Sequence, residues 1–173
     1  MTPDRWVPAR NRNQRGGLLI TALMLAAGLA AAEPRLRGTG DLGIVVERGS
    51  GSLVLIETSG NQALGRIEGL GDLSHASAVF SRDGRYAYVF GRYGGLSKVD
   101  LLTGKLDRRV TQAGNSIGGA ISQNGRLVAV ANYEPGGVRV FDAETLDQVA
   151  DIPALYEEGK PASKVIGLVD APG

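Results

Sequence analysis

Cysteine is absent from this 173-residue chain, histidine occurs once, and aromatic residues make up only 5%. Without cysteine there can be no disulfide framework, thiolate zinc site, iron–sulfur cluster or covalently attached haem c. A single histidine excludes a multi-histidine metal site. Charge of one sign is also missing. The 19 Lys+Arg against 18 Asp+Glu leave a formal +1, so the chain lacks the strongly basic footprint of a nucleic-acid binder. No G-x-x-x-x-G-K-[ST] loop or EF-hand loop occurs. Gly38-Thr39-Gly40-Asp41-Leu42-Gly43 matches G-x-G-x-x-G letter by letter. That fingerprint needs a strand before it and a helix after it, whereas here the strand-like Ile44-Val45-Val46 follows; the segment reads as a flexible lead-in, and NAD is not expected.

The amino terminus carries an address. Arg5, Arg10, Arg12 and Arg15 stand against the single acid Asp4, an apolar run extends from Leu18 to about Leu29, and Ala30-Ala31-Ala32 precedes Glu33. A basic start, a short apolar run and an A-x-A site predict a secretory signal peptide over residues 1–32. The run falls short of the ~20 apolar residues of a membrane span, so no span is expected after cleavage. No Arg-Arg pair is present in this leader, which favours the general secretory route into the periplasm, and without cysteine a lipoprotein anchor is excluded. Removing this leader turns the slight basic excess into a slight acidic one.

Glycine is abundant, and it falls at regular intervals. Phe80-Ser81-Arg82-Asp83-Gly84-Arg85 aligns with Ile121-Ser122-Gln123-Asn124-Gly125-Arg126, and Leu96–Asp100 aligns with Val138–Asp142. Leu53–Glu57 aligns with Leu96–Asp100 in turn, giving a repeat of about 42 residues. Each unit reads as four short strands: in the middle one, Ala76–Ser81, Tyr86–Gly91, Leu96–Asp100 and Leu106–Thr111. Asp-Gly and Asn-Gly supply the positive φ of tight hairpins. The strands are apolar on both sides, as in Tyr86-Ala87-Tyr88-Val89-Phe90, which suits small sheets stacked face to face. The predicted fold is all-β: blades of four antiparallel strands from a β-propeller. The units are approximately 41–73, 74–114 and 115–153, with a further blade starting over 154–173 at the strand Lys164–Val169. Residues 33–173 hold only three to four blades, so an amino-terminal piece of a longer propeller is expected.

Propeller connectivity brings distant residues to one rim. His75 precedes the first strand of the middle unit and Arg92 ends its second strand. Arg48 holds the Arg92 position in the unit before, Tyr133 holds it in the unit after, and Asn115-Ser116 precede the third unit's first strand. One imidazole and two guanidiniums on a common rim form a candidate ligand site, since a neutral imidazole can ligate iron and guanidinium forks pair with carboxylates. Tyr86, Tyr88 and Phe90 are assigned to the core.

Gly71-Asp72-Leu73-Ser74-His75-Ala76-Ser77, followed by Ser81–Tyr86 and Val89-Phe90-Gly91-Arg92, resembles the haem d1 propeller of cytochrome cd1 nitrite reductase. Ser74–Ser77, Gln112–Ser122 and Asn132–Gly137 are more similar still to the periplasmic haem d1 biosynthesis proteins of that family. The resemblance covers about Asp41 to Gly173 and implies an eight-bladed propeller. It also implies a haem d1 or haem d1 precursor ligand, with His75 as axial iron ligand and Arg48 and Arg92 on its carboxylates. Other haem d1 assembly proteins or the nitrite reductase are the implied partners. The implied reaction is a dehydrogenation or side-chain modification of a late intermediate, for which residues 33–173 alone would not suffice. The alternative is a non-enzymatic repeat propeller serving as an exported binding or scaffold module.

Overall fold

Hairpin chemistry accounts for most of the architecture. A computed structural model describes residues 39–158, 160 and 162–171; the predicted signal peptide over 1–32 lies outside them. After a single 3-10 turn at Thr39–Asp41, the strands are β1 (Leu42–Glu47), β2 (Ser52–Glu57), β3 (Gln62–Ile67), β4 (Ser77–Phe80), β5 (Tyr86–Phe90) and β6 (Gly95–Asp100). They continue with β7 (Lys105–Thr111), β8 (Asn115–Ile121), β9 (Leu127–Glu134), β10 (Val138–Asp142) and β11 (Gln148–Ile152). They form three antiparallel sheets in simple meander order, β1-β2-β3, β4-β5-β6-β7 and β8-β9-β10-β11. No helix among the described residues is long and apolar enough to cross a membrane.

The repeated Ser-x-Asp/Asn-Gly-Arg motif is one turn built twice. Gly84 and Gly125 both sit at φ 71°, and each donates its N–H to the serine carbonyl three residues back at 2.9 Å. The Asp83 carboxylate accepts from Ser81 Oγ and Arg85 N, and Asn124 Oδ1 accepts from Ser122 Oγ and Arg126 N. A second repeated device closes the outer hairpins. Asp100 Oδ1 accepts from the N–H groups of Leu102 and Thr103, as Asp142 Oδ1 does from those of Glu144 and Thr145.

Each middle strand feeds two cores. Ala87 and Val89 face the seam between the first and second sheets with Leu53, Leu55 and Leu70, while Tyr88 and Phe90 face the seam between the second and third with Val128, Val130 and Phe141. This explains the missing alternation: β5 is covered on both sides. Tyr86 is only half-buried, its ring 4.2 Å from Lys98 Nζ. Lys98 itself is 2% exposed; its ammonium crosses the second seam to donate to the Glu144 carbonyl at 3.0 Å and lies 3.5 Å from Asp107.

Three sequence expectations need correction. The first sheet has three strands among the described residues where four were expected. The lead-in ends sooner than expected, as Leu42 and Gly43 already belong to β1 and pair with Glu57 and Ile56. The strand expected at Lys164–Val169 is not formed. A strand needs a continuous ladder, and this stretch has isolated links instead: Val165 N donates to Asn132 O, Ser163 O accepts from Gly137 N, and Asp170 binds Arg82 at 2.7 Å.

Asp100 makes the fold sensitive to acid. Burial opposes its ionisation, but the Arg85 guanidinium at 2.9 Å and the N–H groups of Thr103 and Leu102 outweigh burial and hold its pKa below the usual value. A carboxylate depressed on folding stabilises above its unfolded pKa of about 3.9 and loses that contribution as pH falls through the folded value. Asp100→Asn retains an acceptor oxygen for the turn but not the charge. It is expected to cost about 1 kcal/mol at pH 7 and to lose less stability than the wild type between pH 5 and pH 2.5. Urea denaturation at both pH values checks this; parallel losses in the two proteins would refute it.

Candidate functional site

Register decides which residues meet at the rim. Ser77 pairs with Phe90, so His75, two residues before β4, and Arg92, two residues after β5, lie at the same end of the second sheet. Asn115 pairs with Glu134, which likewise sets Asn115 beside Tyr133 at the matching end of the third. The two sheets are then linked at that end: Ser116 N donates to Arg92 O at 2.9 Å, and the buried Ser116 hydroxyl donates to Gly91 O at 2.7 Å. A cavity of about 120 Å³ results, lined by His75, Arg92, Asn115, Ser116, Ile117 and Tyr133.

Four of the five residues singled out in the sequence therefore share one cavity. Arg48 does not line it; it stands exposed at the end of β1, at the rim position homologous to Arg92, one seam away. Its hairpin is joined to the loop ahead of His75 by the Leu70 N to Gly51 O bond of 3.2 Å. His75 is exposed, and Arg92, Asn115 and Tyr133 are half-buried. Lys164 Nζ lies 5.3 Å from the centre of the Tyr133 ring.

Sequence reasoning overlooked Asp72. Its Oδ1 accepts the Ser74 N–H at 2.8 Å, and its backbone carbonyl accepts the Arg92 N–H at 2.9 Å. Hydrogen bonds from Ser74, with the nearby charges of Arg92 and His75, outweigh desolvation and hold its pKa below the usual carboxylate value. The available signal was the Asp-x-Ser spacing, in which an aspartate accepts from the N–H two residues on. Asp72 thus stays anionic beside the two cation-forming side chains while its main chain fixes Arg92.

The cavity lining offers a guanidinium, an imidazole, a carboxamide and a phenol, and no carboxylate. Such a set suits the anionic, oxygen-rich edge of a ligand, with the imidazole available to a metal carried by it. A whole drug-sized ligand needs roughly 300–1,000 Å³, so this cavity holds one edge of something larger. A groove of about 510 Å³ opens at the other end of the same seam, between the Asp83 and Asn124 turns. Its charges are mixed, including Arg82, Arg126, Asp83 and Glu144, with Arg82 engaged by Asp170, and none of the five residues lines it. Among the described residues no cluster of three or more acidic or histidine side chains could hold a metal ion by itself.

Known proteins resemble this chain in sequence and fold. The chain is 66% identical over 154 residues to the protein NirF of Stutzerimonas stutzeri, covering 87% of this chain and 39% of that one. It is 62% identical over 152 residues to NirF of Pseudomonas aeruginosa, covering 87% and 38%. Among solved structures, the dihydro-heme d1 dehydrogenase NirN in complex with DHE matches with a TM-score of 0.72 at 30% identity, over 82% of this chain and 30% of that one. The chain thus spans about two fifths of the length of the NirF proteins. The cytochrome D1 heme domain model matches residues 37–173, every described blade and the rim cavity included, and the chain belongs to that family.

Proposed function

We propose that the protein serves haem d1 biosynthesis by holding a late tetrapyrrole intermediate, haem d1 or its precursor, against the rim of its propeller. The observation that carries this reading is the convergence of His75, Arg92, Asn115 and Tyr133 on one cavity free of carboxylates. Membership of a haem d1 domain family and likeness to a propeller solved with DHE support it. In this reading Arg92 takes a peripheral carboxylate, Arg48 takes another from the neighbouring seam, and Asn115 and Tyr133 donate to the same edge. His75 is the axial ligand of the iron. The cavity's side chains bind and orient, and a dehydrogenation or side-chain modification of the ligand is not assigned to them. The leader over residues 1–32 directs the protein to the periplasm by the general secretory route, where its partners are other haem d1 assembly proteins or the nitrite reductase.

One experiment tests both halves. Protein recovered from the periplasmic fraction is sequenced at its amino terminus and titrated with haem d1, followed by visible absorption. A start at Glu33 is expected; recovery only from the cytoplasm would refute export. A charge-assisted pair contributes about 1.5–3 kcal/mol, so Arg92→Ala is expected to weaken binding roughly 10- to 150-fold. The more exposed Arg48 should give a smaller loss. His75→Ala should change the iron's absorption bands. Wild-type spectra and affinity in His75→Ala and Arg92→Ala would move the site elsewhere.

A further inference from the structure

Beneath the rim lies a buried polar pair. Asn132 is fully buried and Gln112 is 8% exposed, and their side-chain amides are reciprocal: Gln112 Nε2 donates to Asn132 Oδ1 at 2.9 Å and Asn132 Nδ2 donates to Gln112 Oε1 at 3.1 Å. The two residues belong to different blades. The Gln112 N–H donates to Gly94 O in the hairpin that carries Arg92, and Asn132, one residue before Tyr133, donates its N–H to Gly137 O.

The preceding seam shows the same joint without amides. Gly51 and Gly94 are equivalent: both have positive φ, 65° and 68°, and a Cβ on either would collide with a backbone oxygen, that of Gly71 or Ala113. Leu70 N donates to Gly51 O as Gln112 N does to Gly94 O, and Gly91 N donates to Gly95 O as Asn132 N does to Gly137 O. Where the second seam has Gln112 and Asn132, the first therefore has Leu70, 1% exposed, and the buried Gly91. An apolar residue over a glycine closes such a joint adequately. Two reciprocal amides add direction, because both distances and the relative twist must be right at once for either to be satisfied.

We infer that the Gln112–Asn132 pair is a positioning device for the rim cavity, fixing the Arg92 hairpin of one blade against the Tyr133 strand of the next. Neither residue lines the cavity; each acts through the neighbour it holds. The inference rests on the tetrapyrrole reading only for the ligand, and the geometry it asserts can be read without one.

The test converts the second joint into the first, with Gln112→Leu/Asn132→Gly in the full chain, beside the swapped pair Gln112→Asn/Asn132→Gln. The only imidazole in the protein supplies the ligand-free readout: His75 and Tyr133 line one cavity, so a change in their relative placement should shift the His75 ring resonances. The Leu/Gly variant is expected to unfold near the wild-type urea midpoint. Its His75 resonances should be shifted or doubled, and its affinity for haem d1 at least tenfold weaker; the swapped pair should recover much of both. A Leu/Gly variant with wild-type His75 resonances and wild-type affinity overturns the inference. One that does not fold overturns it equally, making the pair a stability element. If the His75 resonances move but the wild type itself does not bind haem d1, the positioning role stands and the ligand reading fails.

Discussion

Gly119→Ala is expected to cost upwards of about 4 kcal/mol and to leave the chain largely unfolded. Gly119 lies in β8 where the third blade meets the second. A Cβ there would stand 2.1 Å from the Ala129 carbonyl and 2.5 and 2.6 Å from Cε1 and Cζ of the Phe90 ring. The ring is fully buried and cannot swing away, and the carbonyl belongs to a paired strand. Relief must come from separating β8 from β9 or one blade from the other, and overpacking of that kind exceeds the usual 1–3 kcal/mol. Urea denaturation decides the matter: a midpoint close to wild type would show that the seam gives more easily than its packing implies. Phe90→Leu should not rescue the variant, because the carbonyl contact remains.

Phe90→Ala carries the second largest expectation, a loss of about 3–5 kcal/mol. Phe90 is 0% exposed and packs in the second seam with Tyr88, Val128, Val130 and Phe141. Truncation removes the transfer energy of the ring and leaves a void that paired strands cannot collapse to fill. Phe90 also ends β5, two residues before Arg92, so in conditions where the variant still folds its ligand affinity should fall too. A loss below about 1.5 kcal/mol, read from urea midpoints, would mean that the seam repacks.

The repeat was legible because its turns depend on local chemistry. Ser81-Arg82-Asp83-Gly84-Arg85 and Ser122-Gln123-Asn124-Gly125-Arg126 each carry their own acceptor, donors and positive-φ glycine within a few residues, so the letters suffice. The shared location of His75, Arg92, Asn115 and Tyr133 followed from connectivity alone. The Lys164–Val169 stretch could not be read correctly, since an apolar run does not show whether a partner strand stands beside it. Arg48 was placed at its homologous rim position, but which seam it serves depends on packing. The Gln112–Asn132 pair was hidden for a related reason: its partners lie 20 residues apart in different blades, with no local pattern joining them. Only alignment with Leu70 and Gly91 marks the two positions as unusual.

The main chain at Arg92 is held from both directions, its N–H by Asp72 O and its carbonyl by Ser116 N. A guanidinium on such a pivot behaves as part of the scaffold's stiffness and not as the tip of a loose hairpin. Any pull that a bound molecule exerts on it is shared by two blades, and the orientation of one module is felt directly in the grip of the next.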